Sequence, residues 1–228
     1  MKINGSTWDY YWGKDKVSSR SIDGMSRMIF SNIERHVSFE RKCVLELGCG
    51  KGRLGYRALI KGAREVTFVD SSARALHLAK DLTADFSNTT FIQADLFEMV
   101  LRKKYEIVLS SGLVEHFDRE KKVECVRIHK ELSKDKVVIV VPASFHYNNI
   151  RMRLGKTREN FGWQKPIGKL EMVNLFKQVE LTPCVMERFY TLYPFLGGPS
   201  ALVKNVANGF FNIGEKWCGG LLIAIGRV

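Results

Sequence analysis

The stretch VLELGCGKGRLG, residues 44–55, decides how the rest of the chain is read. It runs from a short apolar segment into glycines that can be counted in two registers. Gly50, Gly52 and Gly55 give the G-x-G-x-x-G spacing of a dinucleotide-binding turn. Gly48, Gly50 and Gly52 give G-x-G-x-G. In the dinucleotide fingerprint the first glycine follows the strand almost directly. The apolar run ends at Leu47, so the turn starts at Gly48. Dinucleotide spacing from there requires glycine at position 53, which is Arg53. Starting instead at Gly50 would carry the strand through Gly48 and Cys49, a poor strand end. The frame that fits is Glu46-x-Gly48-x-Gly50-x-Gly52. Glycines there let backbone approach a ligand closely and aim the next helix N-terminus at it.

Outward from this loop, apolar strand-like runs alternate with helical periodicity. Strands are expected at 43–47, 65–70, 89–93, 105–111 and 136–142. Helices are expected at 52–62, stopped by Gly62, at 72–82, capped by Ser71 or Ser72, and at 119–132. Later come a helix at 167–176, a strand within 179–190 that must hold Pro183 at an end or a bulge, and a last strand at 221–228. Near-continuous apolar strands separated by helices imply a parallel sheet covered on both faces, joined by right-handed crossovers.

Three further features bear on the loop. Asp70 ends the second strand about 20 residues beyond the glycines, where a carboxylate can accept both hydroxyls of a ribose. Asp95 follows the third strand in QADL, although it would equally cap a short helix in LFEMV. The fourth strand ends in SSGLVEHFD, residues 110–118. Together these resemble the class I S-adenosylmethionine-dependent methyltransferases, in particular the subgroup acting on small molecules, such as the quinone-biosynthesis enzymes. The resemblance covers residues 41–142 and the last strand, and Lys51 departs from the small or acidic residue common there. It implies an α/β, Rossmann-like three-layer sandwich with a seven-stranded, mostly parallel sheet of order 3-2-1-4-5-7-6, strand 7 antiparallel. It also implies S-adenosylmethionine as cofactor and S-adenosylhomocysteine as product; no metal-site residue is picked out, and the metal requirement stays open. The cofactor set it implies is Glu46, Gly48, Cys49, Gly50, Gly52, Asp70, Ser71, Asp95, Leu96, Ser110 and Ser111. Asp70 would take the ribose, Asp95 and Leu96 the adenine, and Ser110 and Ser111 would contribute backbone. There is no N/D-P-P-Y/F after strand 4, the element that enzymes methylating adenine or glutamine amino groups use to hold a planar nitrogen.

Composition bounds the partners. The chain has 228 residues, 45% of them hydrophobic, enough for one large domain. The expected organisation is a helical, aromatic lid segment at 1–40 and a methyltransferase domain at 41–228 with insertions at 143–166 and 191–218. No uncharged apolar stretch reaches the roughly 18 to 20 residues of a membrane span, and residues 1–14 have no signal-peptide core. A cytoplasmic protein, monomer or homodimer, is expected. The five cysteines have no zinc spacing and read as reduced thiols, and the context of Cys184 does not suit an RNA cytosine methyltransferase nucleophile. A net charge of +12 suits acidic small molecules, anionic lipid surfaces or nucleic acid.

A small-molecule acceptor, acidic or lipid-like, is the reading favoured over an RNA or protein substrate or a non-catalytic nucleoside-binding module. Methyl transfer needs alignment and a dry pocket, and a base only if the nucleophile arrives protonated. His116 is the candidate base, with a role in pinning the loop as its alternative. Trp8, Tyr10 and Tyr11 in the N-terminal aromatic cluster are candidate acceptor contacts, as are His146, Tyr147 and Arg151 in the first insertion. The apolar run between 193 and 217 suits a pocket cover, a dimer contact or an interfacial helix.

Overall fold

The computed structural model describes residues 5–13, 24–144, 163–189 and 220–228. In chain order these form α1 (Gly5–Gly13), α2 (Gly24–Glu34), β1 (Cys43–Leu47), α3 (Arg53–Ile60), β2 (Glu65–Asp70), α4 (Ala73–Leu82), β3 (Thr89–Gln93) and β4 (Tyr105–Ser111). A 3-10 turn at Val114–His116 leads into α5 (Arg119–Leu132), β5 (Ser133–Pro142), α6 (Lys169–Gln178), β6 (Thr182–Phe189) and β7 (Leu221–Arg227). The seven strands make one sheet of order β3-β2-β1-β4-β5-β7-β6. Pairings from β3 to β5 are parallel, and β7 runs antiparallel to both β5 and β6.

Strand alternation divides the core between two layers of helices. Val44 of β1 and Val138 and Val140 of β5 face Phe30 and Ile33 of α2 and Leu54 and Ala58 of α3. On the other side, Val137, Ile139 and Val141 of β5 meet Cys125 and Val126 of α5 and Met172 and Phe176 of α6. Thus α2 belongs to the core, while α1 lies against α4.

Local chemistry sets most element ends. Gly62 takes φ +80° just after α3, a backbone state cheap only for glycine. Ser72 caps α4, its hydroxyl accepting the Ala75 N–H, and Asp118 caps α5 by accepting the Lys121 N–H. Pro183 sits at a register shift on the edge strand β6, as its missing N–H requires. Three boundaries differ from expectation. The strand β5 begins at Ser133, with no loop after α5. Helix α6 begins at Lys169 because Ile167 is drawn into a bridge with Ala143. Residues 96–98 form a turn and not a helix.

A buried polar link ties α5 to β4. His129 Nε2 lies 2.9 Å from Ser110 Oγ, and Nδ1 lies 2.7 Å from the Cys125 carbonyl. The carbonyl can only accept, so Nδ1 carries the hydrogen and Nε2 accepts from the serine. Burial pushes this imidazole down to about 4. His129→Leu keeps the volume but leaves the Ser110 hydroxyl unpaired, so urea unfolding should show a loss of about 2 kcal/mol. Adding Ser110→Ala should recover part of that loss, and strict additivity would refute the link.

Candidate functional site

The site gathers where the carboxyl ends of β1 and β4 diverge, the topological switch point of such a sheet. Gly48, Gly50 and Gly52 all take left-handed φ values, +60°, +51° and +67°. A Cβ on Gly50 would stand 2.8 Å from the indole of Trp12, so this position excludes side chains by shape as well as by backbone. The buried Cys49 ties the loop to β2, its N–H donating to the Val69 carbonyl at 3.0 Å.

Asp70 organises the loop from the end of β2. Its Oδ2 accepts the Gly50 N–H at 2.8 Å and its Oδ1 the Ser72 N–H at 2.9 Å. Burial raises this carboxyl above the usual range. A carboxylate has about four lone-pair sites, so acceptor capacity for two hydroxyls remains. Ser71 is half-buried between these contacts.

Glu46 does different work. Gly52, at the N-cap of α3, has no side chain to satisfy the first turn. Glu46 reaches up from β1 instead, accepting the Gly55 N–H at 2.8 Å. It holds α3 against the sheet and thereby fixes the loop. Burial pushes its carboxyl up to about 8.

The remaining residues expected on the donor side spread along the same rim. Asp95 is exposed, with Oδ1 accepting the Phe97 N–H at 2.8 Å while Oδ2 makes no hydrogen bond among the described residues. Leu96 is half-buried against the core. The hydroxyl of Ser110 points to His129, so only its backbone can face the rim; Ser111 ends β4, half-buried.

Helix α1 roofs the loop. Trp12 lies over Gly50, and Trp8 meets the ring of His116 edge-on at 4.9 Å. Asp9 Oδ1 accepts from the Ser72 hydroxyl at 2.5 Å and from the Arg74 N–H at 3.2 Å, joining the cap of α4. Tyr10 is exposed, at 65%. Of Tyr11 only the helical backbone is described. His146, Tyr147 and Arg151 lie outside the described residues, as does the apolar run at 193–217.

His116 is 8% exposed, and burial lowers its imidazole from the usual value. Its Nδ1 lies 2.8 Å from the Trp163 carbonyl and donates to it. The ring therefore pins residues returning from the first insertion to the end of β4. Beside it, Glu115 is 1% exposed, with neither carboxylate oxygen hydrogen-bonded among the described residues and its carboxyl pushed up to about 8 by burial.

Sequence reading missed Asp9, the helix-anchoring role of Glu46, and a partly buried ion pair. In that pair Lys122 Nζ lies 2.8 Å from Glu171. Lys122, Cys125, Val126 and His129 follow helical spacing, so α5 periodicity held a signal that Lys122 faces inward. Among the described residues there is no group of three or more potential metal ligands, and no helix long and apolar enough to cross a membrane.

This sheet order, with a glycine turn and an acid at the end of the second strand, defines a class I methyltransferase fold. Residues 44–135 match the family model described as a methyltransferase domain. A putative protein N5-glutamine methyltransferase of Methanocaldococcus jannaschii is 35% identical over 74 residues, covering 32% of this chain and 37% of that protein. Two solved structures share the fold almost throughout. One is the complex of the Haloferax volcanii Trm112 methyltransferase activator with a putative methyltransferase (TM-score 0.70, 15% identity, 99% of this chain and 97% of that one). The other is the magnesium protoporphyrin IX methyltransferase of Synechocystis PCC 6803 with S-adenosylhomocysteine (TM-score 0.67, 12% identity, 98% and 95%). Residues 44–135 thus match a methyltransferase domain, set in a sheet with the strand order of the class I methyltransferase fold.

Proposed function

We propose that the protein transfers a methyl group from S-adenosylmethionine to a small-molecule acceptor of acidic or lipid-like character. The observation that carries the donor half is the loop 48–52, three glycines at positive φ hydrogen-bonded to Asp70 at the switch point. On this reading Asp70 receives the ribose hydroxyls, the glycine backbone borders the methionine side, and Asp95 Oδ2 receives the adenine amino group beside Leu96.

The bound cofactor supplies an electrophilic methyl group. The protein supplies position and exclusion of water. Trp8 and Trp12 on α1 form an apolar roof, which Asp9 fastens to α4. His116, held neutral and hydrogen-bonded through Nδ1, serves as a fixed wall near the end of β4 and is the candidate to take a proton from the acceptor. Trp8, Tyr10 and Tyr11 and, in the first insertion, His146, Tyr147 and Arg151 are the acceptor-side candidates.

The acceptor class rests on two points. The segment after β4 reads Ser110-Ser111-Gly112-Leu113, without the proline-containing clamp for a planar amide nitrogen, so the activity named for the Methanocaldococcus relative is not carried over. The Synechocystis neighbour is named for magnesium protoporphyrin IX, and the net charge of +12 favours acceptors that carry negative charge.

Calorimetry with S-adenosylhomocysteine tests the donor half. Asp70→Ala should weaken binding by at least about 1.5 kcal/mol, the scale of a hydrogen bond to a charged group. Tight binding of NAD with none of S-adenosylhomocysteine would overturn the proposal. Retention on RNA that fades with salt would move the acceptor to nucleic acid.

A further inference from the structure

A cleft of about 560 Å3 opens between α5 and α6, and it shares no lining residue with the glycine loop. Its volume lies within the roughly 300–1,000 Å3 of small-molecule sites. Phe117, Trp163, Leu170 and Leu175 give it apolar walls. Two of these are unusually open for their type, Trp163 at 44% and Leu170 at 74%. Large apolar side chains left exposed around a concavity mark a binding surface more than scattered ones do.

The charges lining the cleft do not cancel. Asp118 is engaged as the cap of α5, its Oδ1 accepting the Lys121 N–H at 3.0 Å. Glu171 is engaged by Lys122, whose side chain is only 3% exposed. Arg119 and Lys165 also line the cleft, and neither side chain makes an ion pair or hydrogen bond among the described residues. The site is thus apolar in its walls and cationic in its unspent charge.

One wall is wired to the turn that ends β4. The Trp163 carbonyl accepts from His116, and the Lys165 N–H donates to the Glu115 carbonyl at 2.9 Å. A ligand resting on Trp163 therefore bears on the segment that fixes His116.

We infer that the α5/α6 cleft is a binding site for a small anionic amphiphile, separate from the methyl-donor site. Its apolar body lies against Trp163 and Leu170, and its anionic headgroup is met by Arg119 and Lys165. The inference stands on the cleft itself and does not depend on the donor assignment.

The test uses the full chain, with dodecanoate below its micelle concentration as the probe and displacement of 1-anilinonaphthalene-8-sulfonate as the readout. Dodecanol and dodecyltrimethylammonium are the neutral and cationic comparisons. Dodecanoate should bind at least tenfold more tightly than either. Removing both cations, Arg119→Ala with Lys165→Ala, should weaken dodecanoate at least tenfold and leave dodecanol unchanged. Asn174→Trp, which fills the cleft, should abolish binding of both, with the far-ultraviolet spectrum reporting that the fold is kept. Equal affinities for the three amphiphiles, or a double variant that binds dodecanoate as wild type does, would overturn the proposal. So would a dimer that Leu170→Lys dissociates in a protein that binds no amphiphile, since a second copy would then be the occupant. S-adenosylhomocysteine calorimetry on the same samples separates the two sites. Loss of that binding with dodecanoate binding intact counts against the donor assignment alone.

Discussion

Raising the pH from 6.5 to 8 should lower the free energy of unfolding by about 3 kcal/mol. Glu46 and Glu115 are both buried, and burial pushes each carboxyl up to about 8, from a starting value of 4.5. A group whose pKa is raised by folding contributes stability below its unfolded pKa and loses it as pH climbs through the folded one. For these two carboxyls the loss runs from about pH 4.5 to just above 8, and roughly two-fifths of it lies above 6.5. His129 acts in the opposite sense. Its folded value is depressed to about 4 from 6.5, so its contribution is complete above 6.5 and fades on acidification. Above pH 6.5 it changes little, and the two glutamates dominate. Urea unfolding at the two pH values measures the difference. Glu46→Gln keeps an acceptor for the Gly55 N–H and should remove about half of the slope, and Glu115→Gln the other half. A flat wild-type profile would show that both carboxyls are ionised in the fold.

Gly55→Ala should destabilise the protein by about 2–3 kcal/mol, although glycine to alanine inside a helix ordinarily gains up to about 1 kcal/mol. Its Cβ would lie 2.3 Å from Cε1 and 2.7 Å from Cζ of Phe68, and 2.8 Å from Glu46 Oε2. Phe68 cannot swing aside, because it is fully buried and stacked on Phe91 at 5.1 Å. The added methyl would push α3 off the sheet and break the hydrogen bond that anchors its first turn. Thermal or urea unfolding checks the sign. A variant as stable as wild type would mean that α3 shifts freely. Phe68→Leu in the same chain should recover part of the loss, since it removes the atoms that clash.

Local rules carried the donor half of the protein far. The strands 43–47, 65–70, 89–93 and 105–111 and the helix 119–132 fall where the sequence places them, because buried parallel strands are unbroken apolar runs punctuated by caps and glycines. The register argument at Leu47 and Arg53 holds because a strand end is a local property. What escaped was decided by contacts distant in sequence. Glu46 stands at the right strand end to meet a ligand, and only the tertiary position of α3 shows that its carboxyl is spent on Gly55. The start of α6 moved because Ala143 captures Ile167, a pairing no periodicity encodes. Asp9 acts on α4 across the whole donor loop, and its value depends on how α1 docks. Lys122 was legible in principle from its helix face, but charge argued for solvent, and its partner Glu171 comes from another helix.

The placement of β7 has a consequence for how such a protein can change over generations. Because β7 opposes both β5 and β6, those two strands run in the same direction. The chain therefore leaves β5 at Pro142, leaves β6 at Phe189 and re-enters β7 at Leu221, all on the rim that carries the glycine loop. The connections on the other half of the sheet, around Gly48–Gly52 and Ser71–Ser72, are tight and tied by hydrogen bonds. Insertions and replacements between 145 and 162 or between 190 and 219 can thus accumulate without disturbing any strand pairing among β1, β2, β3 and β4. The architecture separates a part that tolerates drift from a part that does not, so a lineage can vary those two connections while the glycine loop and Asp70 stay in place.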